Sequence, residues 1–251
     1  MKLIHTPLEM KQWRRTVIQS IGFVPTMGAL HAGHEELLKR SRKENEISIL
    51  SIFVNPTQFN DPKDFEKYPL TWEADLKIAQ KNHVDVLFAP NKSLMYPDDY
   101  HFKVIENDFS QSLCGRDRPG HFDGVLSIVM KLFQLIEPTK SYFGEKDYQQ
   151  FQLIKDMTKA FFMNVEVLPV ATIREKSGLA MSSRNVRLSE KEKLEIAPII
   201  YKTISECKSA PEAKAQLQTY GFKVDYVEDR NNRRFVAVHL NDVRLIDNVP
   251  I

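Results

Sequence analysis

At 251 residues with 42% hydrophobic content, the chain can bury a full core, as one large domain or two unequal ones, and is not a disordered protein. Lysine and arginine number 35 against 33 acidic residues, a net charge of +2 that excludes a dedicated nucleic-acid surface and leaves room for a local basic pocket and a small-molecule substrate. The start of the chain carries no long apolar run, so no signal peptide and no membrane span are expected and the cytoplasm is the default location; Cys114 and Cys207, far apart and outside any C-x-x-C pattern, read as free thiols.

Leu8 to Gln19 reads as an amphipathic helix with Trp13, Val17 and Ile18 on its apolar side. Ile21 to Val24 is a short buried strand, Pro25 and Gly28 break it, and helical spacing runs from Gly33 to Asn45 through Leu37 and Leu38. In this strand, turn and helix, His31 and His34 are three residues apart at the helix start and face the same way. Such a strand end is where an open parallel α/β sheet binds ligands, and free N–H groups at a helix start favour phosphate. Two imidazoles there can hydrogen-bond phosphate oxygens and, if protonated, offset the charge of phosphoryl or nucleotidyl transfer. Gly33 between them leaves room for a flat ring to approach the backbone. A bare H-x-G-H is more often an ordinary capped helix, and the preceding strand and Pro/Gly turn reverse that reading.

Ile47 to Val54 is a central strand bounded by Asn55-Pro56, Thr71 to Asn82 a helix with Thr71 as N-cap, and Val84 to Ala89 another buried strand. Phe102 to Ile105 is read as a further strand, Arg118 to Gly124 as a turn-rich loop and Val125 to Ile136 as an apolar helix. Lys140 to Gly144 is a parallel-type strand, followed by a helix from Asp147 to Phe162 and a strand from Val165 to Val170. This alternation predicts an α/β, Rossmann-like parallel sheet with right-handed crossovers over residues 1–174. Beyond it, helical stretches at Glu190 to Cys207 and Pro211 to Tyr220 precede short strands at Phe222 to Val227, Arg233 to Leu240 and Val243 to Ile246. The segregated order predicts a smaller α+β domain over residues 175–251.

Other groups gather at the predicted strand ends. Gln58, just after the second of these strands, can donate and accept, which suits a ligand with hydroxyls and a carboxylate; turn chemistry explains Asn55-Pro56 equally well. At Gly144-Glu145-Lys146-Asp147 the glycine allows backbone approach, the lysine meets phosphate and the aspartate suits ribose hydroxyls, with Gln150 on the face of Asp147. Arg174 to Asn185 is hydroxyl-rich and cationic, and Ser182, Ser183 and Arg184 can follow a triphosphate from a loop that closes over it. Arg118 and His121 either add charge at the mouth of the site or form a structural turn, and Asp75 is read as a helix-start carboxylate rather than a metal ligand.

Taken in order, the blocks Pro25 to His34, Phe53 to Phe59, Arg118 to Phe122, Lys131 to Phe133, Phe143 to Gln150 and Gly178 to Asn185 resemble the pantothenate synthetases (pantoate:β-alanine ligases) of the H-x-G-H nucleotidyltransferase group, and Leu245 to Asn248 resembles their closing strand. The resemblance implies a ligase that forms pantoyl adenylate from ATP and pantoate and passes the acyl group to β-alanine, releasing AMP. It implies an ATP site of Met27, Gly28, Ala29, Leu30, His31, Ala32, Gly33 and His34 with Gly144, Glu145, Lys146, Asp147, Ile173, Met181, Ser182, Ser183 and Arg184. His34 is then the proton donor or charge stabiliser, Gln58 and Gln150 hold pantoate and β-alanine, and His31, His34, Lys146 and Arg184 are the catalytic cations, with Mg²⁺ on the phosphates. A homodimer, a small C-terminal lid and no nucleic-acid or membrane partner are also implied. The sequence departs from the family at Ser177 and Gln134, and its C-terminal region reads as short. Two other readings stay open: an adenylyltransferase that keeps the nucleotide on its product, and a non-catalytic nucleotide-binding module on the same fold.

Overall fold

The computed structural model describes all residues 1–251. Six parallel strands form one sheet: β1 (Lys2–Ile4), β2 (Ile21–Thr26), β3 (Ile47–Ile52), β4 (Val86–Phe88), β5 (Lys140–Gly144) and β6 (Glu166–Val170), in the order β1-β4-β3-β2-β5-β6. The chain moves outward from β2 through β3 to β4 on one side, then restarts at β5 on the other side of β2. That reversal opens a crevice at the carboxyl ends of β2 and β5, the place where such sheets bind ligands.

The strands alternate between two cores with a period of two. Phe23 and Ile49 enter the larger cluster with α1 (Pro7–Arg14), α7 (His121–Ile136) and α8 (Tyr148–Ala160); Val24, Leu50 and Leu87 enter a second with α2 (Ala32–Glu44) and α4 (Trp72–Lys81). Short helices α3 (Pro62–Glu66), α5 (Lys92–Met95) and α6 (Cys114–Asp117) punctuate the connections. The C-terminal part packs α9 (Pro198–Glu206) and α10 (Ala210–Thr219) on an antiparallel sheet of β7 (Lys223–Arg230), β8 (Arg233–Leu240) and β9 (Val243–Pro250). Asn231 and Asn232, both at positive φ, close the β7–β8 hairpin as a two-residue turn requires. Tyr226, Phe235 and Ala237 of this sheet belong to the larger core of the parallel layer, so the two parts share one interior.

The fold corrects several expectations. Helix α1 stops at Arg14, and Ile18 is 97% exposed rather than on an apolar face. Phe102 to Ile105 forms no strand, because the Val104 N–H goes to the Ser127 hydroxyl (2.9 Å) instead of a sheet neighbour. His121 to Gly124 is the first turn of α7 and not a loop. Thr71 occupies the N-cap position of α4 without capping it, since its hydroxyl donates to Asp75 instead. Strand β1, three residues long and not read from the sequence, pairs in parallel with β4. Cys114 and Cys207 are both free thiols, and no helix is long and apolar enough to cross a membrane.

Candidate active site

The β2–α2 turn is built by its own backbone. Gly28 and Ala29 both take positive φ (82° and 51°), which turns the N–H groups of Ala29 and Leu30 inward onto the two oxygens of buried Asp75, at 3.0 and 2.8 Å. A Cβ at Gly28 would stand 2.9 Å from an Asp75 oxygen, so glycine is required for both reasons. Asp75 therefore ties the turn from α4 with both oxygens. The chain then enters α2 with His31 as N-cap: its Nδ1 accepts from the Gly33 N–H (3.1 Å), and Nδ1 of His34 accepts from the His31 N–H (3.3 Å). A reciprocal capping box normally uses a hydroxyl and a carboxylate; here two imidazoles fill both roles.

This fixes the tautomer. With each Nδ1 accepting a backbone N–H, each neutral ring must carry its proton on Nε2 and can offer it as a donor. Burial, followed by the charge of Lys146, lowers the pKa of His31 to about 4; burial, followed by His31 and Lys146, lowers that of His34 to about 3. Neither histidine is a cation at neutral pH in the ligand-free protein. They are oriented neutral donors, with ring centroids 4.1 Å apart. A Cβ at Gly33 would stand 2.9 Å from the His31 ring, so the glycine also makes room for the neighbouring imidazole.

The turn opens into a cavity of about 870 Å³ at the carboxyl ends of the strands. It is lined by Met27, His31, Gly33 and His34, by Gln58 and Gln150, by Gly144, Lys146 and Asp147, and by Ile173, Met181, Ser182, Ser183 and Arg184. Gly144 meets nothing where a Cβ would project, which leaves its backbone open to a ligand. Gly28, Ala29, Leu30, Ala32 and Glu145 do not line the cavity. Gly28 and Ala29 form the Asp75 turn, Leu30 is buried in the α2–α4 core, Ala32 is exposed at the helix start, and Glu145 faces Arg233 at 3.8 Å.

The other groups are held from a distance. The Asn248 amide donates to the backbone oxygens of Glu145 and Lys146, both at 2.9 Å, so β9 braces the turn that carries Lys146. Arg174 forms a two-pronged pair with Asp247 (2.6 and 2.9 Å) while lying 3.6 Å above the Tyr201 ring, which anchors the start of the serine–arginine loop. At its far end, Arg184 donates to Asp64 of α3 (2.9 Å), and Ser183 lies 3.4 Å from the Tyr68 hydroxyl. Gln58 donates to the Met27 sulfur and accepts from buried Asn55, itself held by Gly124 and Tyr96. Sequence reading gave no site role to Asn55, read as a strand boundary, or to Asp64, Tyr68 and Asn248, whose partners lie more than 100 positions away.

Buried His121 donates from Nδ1 to the Gln58 carbonyl (2.8 Å) and accepts at Nε2 from Arg118 (3.1 Å). Burial, then the charge of Arg118, lowers its pKa to about 3. The unfolded chain binds a proton on this residue below about 6.5 while the folded protein does not, so stability is lost as pH falls from 6.5. Urea unfolding of the His121→Asn variant, whose amide can keep the donor to Gln58, is expected to lose about 2 kcal/mol less than the parent between pH 7.5 and pH 5. Equal losses would show that His121 does not set this slope. Ser177 donates to a backbone oxygen in the loop brace and Gln134 is exposed on α7, so neither departure from the family pattern removes a cavity group.

A family model described as pantoate-beta-alanine ligase matches residues 2–250. The pantothenate synthetase of Bdellovibrio bacteriovorus is 58% identical over 250 residues, covering 100% of this chain and 99% of that protein. That of Legionella pneumophila (strain Lens) is 49% identical, with 99% of each chain covered, so the C-terminal region is of ordinary length beside these relatives. Among crystal structures, the pantoate-beta-alanine ligase of Francisella tularensis complexed with beta-gamma ATP and beta-alanine superposes with a TM-score of 0.94 at 42% identity, covering 100% of this chain and 97% of that one. The pantothenate synthetase of Thermus thermophilus gives 0.90 at 36% identity, covering 100% and 99%. A ligand-binding crevice at the reversal of a parallel sheet, two imidazole donors at a helix start and a match over the whole chain lead to one conclusion: the chain belongs to the pantoate-beta-alanine ligase family.

Proposed function

We propose that the chain joins pantoate to β-alanine, converting ATP to AMP and pyrophosphate through an enzyme-bound pantoyl adenylate. A pantoate carboxylate oxygen attacks the α-phosphorus and pyrophosphate leaves; the β-alanine amine then attacks the acyl carbon, and AMP leaves with the carbon–oxygen bond. The observation that carries this reading is the convergence on one cavity of two neutral imidazole donors, Lys146, the Ser182–Arg184 loop and the two amides Gln58 and Gln150. No covalent nucleophile is needed; positioning and charge stabilisation carry the reaction. His31 and His34 would donate to phosphate oxygens and Lys146 would offset their charge. Gln58 and Gln150 would hold pantoate, and Arg184 would exchange Asp64 for phosphate.

Mg²⁺ belongs to the same reading. No three carboxylate, histidine or cysteine groups converge to hold a metal, and of the cavity aspartates only Asp61 faces no cation, so its ligands would be mainly phosphate oxygens and water. A binding part over residues 1–174, a covering part over 175–251, a cytoplasmic location and a homodimer complete the proposal, and light scattering tests the last. The decisive assay follows pyrophosphate and AMP from ATP and Mg²⁺ with pantoate, with and without β-alanine. AMP release is expected to need both substrates, and exchange of labelled pyrophosphate into ATP to need pantoate alone. Nucleotide retained on the product would favour the adenylyltransferase reading, and no pantoate-dependent chemistry would overturn the assignment of activity.

A further inference from the structure

Four arginines line the cavity, and three of them face carboxylates: Arg184 faces Asp64 (2.9 Å), Arg187 faces Asp242 (2.7 Å) and Arg244 faces Asp225 (2.8 Å). The fourth, Arg118, has no carboxylate within ion-pair distance. Its guanidinium donates to the Gln58 carbonyl (3.0 Å) and to Nε2 of His121 (3.1 Å), which leaves three of its five N–H groups without a protein partner. Burial, then the like charge of Arg184, lowers its pKa to about 10, so it remains a cation at neutral pH; Asp64, which opposes that shift, is already paired with Arg184 and Arg187. A partly desolvated guanidinium of this kind is poorly compensated until an anion reaches it.

We infer that Arg118 is the receptor for the carboxylate of the amine substrate, a deepening of the proposed function that rests on it. Three anionic groups enter the cavity on that reading. The triphosphate has the imidazole donors, Lys146 and the serine–arginine loop. The pantoate carboxylate is consumed, because it becomes the acyl group. The carboxylate of β-alanine takes no part in bond making and needs a cation of its own. Arg118 supplies one beside the two amides: it donates to the backbone of Gln58 and lines the same recess as Gln150. The planar fork of arginine matches a carboxylate with two parallel hydrogen bonds. In the second step the amine, after releasing its ammonium proton to solvent, forms the carbon–nitrogen bond as the bond to AMP breaks, and a second nitrogen proton leaves to the AMP phosphate or solvent. The carboxylate stays on Arg118 unchanged, so its binding contributes orientation.

The test compares Arg118→Gln with the parent in three measurements. Pantoate-dependent exchange of labelled pyrophosphate into ATP is expected to fall much less than β-alanine use, because the first step does not use the amine substrate and His121 still holds the Gln58 carbonyl. For β-alanine, kcat/KM is expected to fall about 10- to 100-fold, mainly through KM, the usual worth of a charged hydrogen bond. With n-propylamine, which has the same amine and chain length but no carboxylate, the variant is expected to lose no more than it loses in exchange. Arg118→Lys, which keeps the charge and loses the fork, is expected to recover part of the β-alanine loss, and it carries the test should the glutamine variant fail to fold. Exchange that falls as far as β-alanine use, or propylamine turnover that falls in parallel, would reduce Arg118 to a brace for the Gln58 turn. A parent enzyme with no pantoate-dependent exchange would instead remove the reading on which the inference rests, before any variant is compared.

Discussion

Replacing His34 by alanine is expected to lower pantoate-dependent pyrophosphate exchange by about 10²- to 10³-fold, the usual effect of removing one preorganised donor from a site of developing negative charge. The donor is preorganised because the His31 N–H occupies Nδ1 and leaves the proton on Nε2. Two conservative variants separate the two nitrogens. His34→Gln can place an amide N–H near the Nε2 position, whereas His34→Asn keeps an acceptor near Nδ1 and loses the reach into the cavity. Glutamine is therefore expected to retain more exchange activity than asparagine, and the reverse order would mean that the cap matters more than the donor. The pH profile is a further check. A catalytic imidazolium would lose activity as pH rises through 6 to 7; a ring whose pKa lies at about 3 is neutral throughout that range, so no such fall is expected.

The second large effect is expected at a residue that does not line the cavity. Asp75→Ala leaves the half-buried N–H of Ala29 and the buried N–H of Leu30 without an acceptor, at a cost of up to about 1–3 kcal/mol each in stability. The Gly28–Ala29 turn, held at positive φ by those two bonds, would relax and move His31 and His34 with it. Urea unfolding is expected to show the stability loss, and exchange activity to fall at least tenfold at temperatures where the variant is folded, consistent with the sensitivity of catalysis to small misplacements. Asp75→Asn, which keeps one acceptor oxygen, is expected to fall between the two. A destabilised Asp75→Ala enzyme with full activity would mean that the turn does not set the position of the histidines.

The parts of this site that were legible in the sequence are those encoded locally. Ile21 to Val24, the Pro/Gly turn and the periodic run after Gly33 declare strand, turn and helix within a few residues, and two histidines three apart must then share a face. The same holds for Gly144 to Asp147 at the end of β5. What the residues did not reveal depends on partners brought together by the fold. Asp75 lies 46 positions from Ala29, and Asp64 lies 120 from Arg184. No spacing rule links such pairs, so one was read as a helix-start charge and the other was not read at all. The charge state of the histidines was illegible for a related reason: H-x-G-H specifies two titratable rings, while their neutrality comes from burial and from Lys146, over a hundred positions away. Strand β1 escaped because three residues carry too little pattern to show a strand period.

The brace from Asn248 to the carbonyls of Glu145 and Lys146 bears on how such an enzyme can be recombined. A hybrid gene joined near residue 174 would exchange the antiparallel sheet as a cassette, with its seam in a loop. The exchanged piece, however, supplies the amide that shapes the lysine turn, the aspartate that anchors Arg174, and the side chains of Tyr226 and Phe235 in the larger core. Halves drawn from different parents would inherit a mismatch at all three places at once. Crossovers that keep residues 145–147 and 247–248 from one parent should yield active hybrids more often than crossovers that separate them.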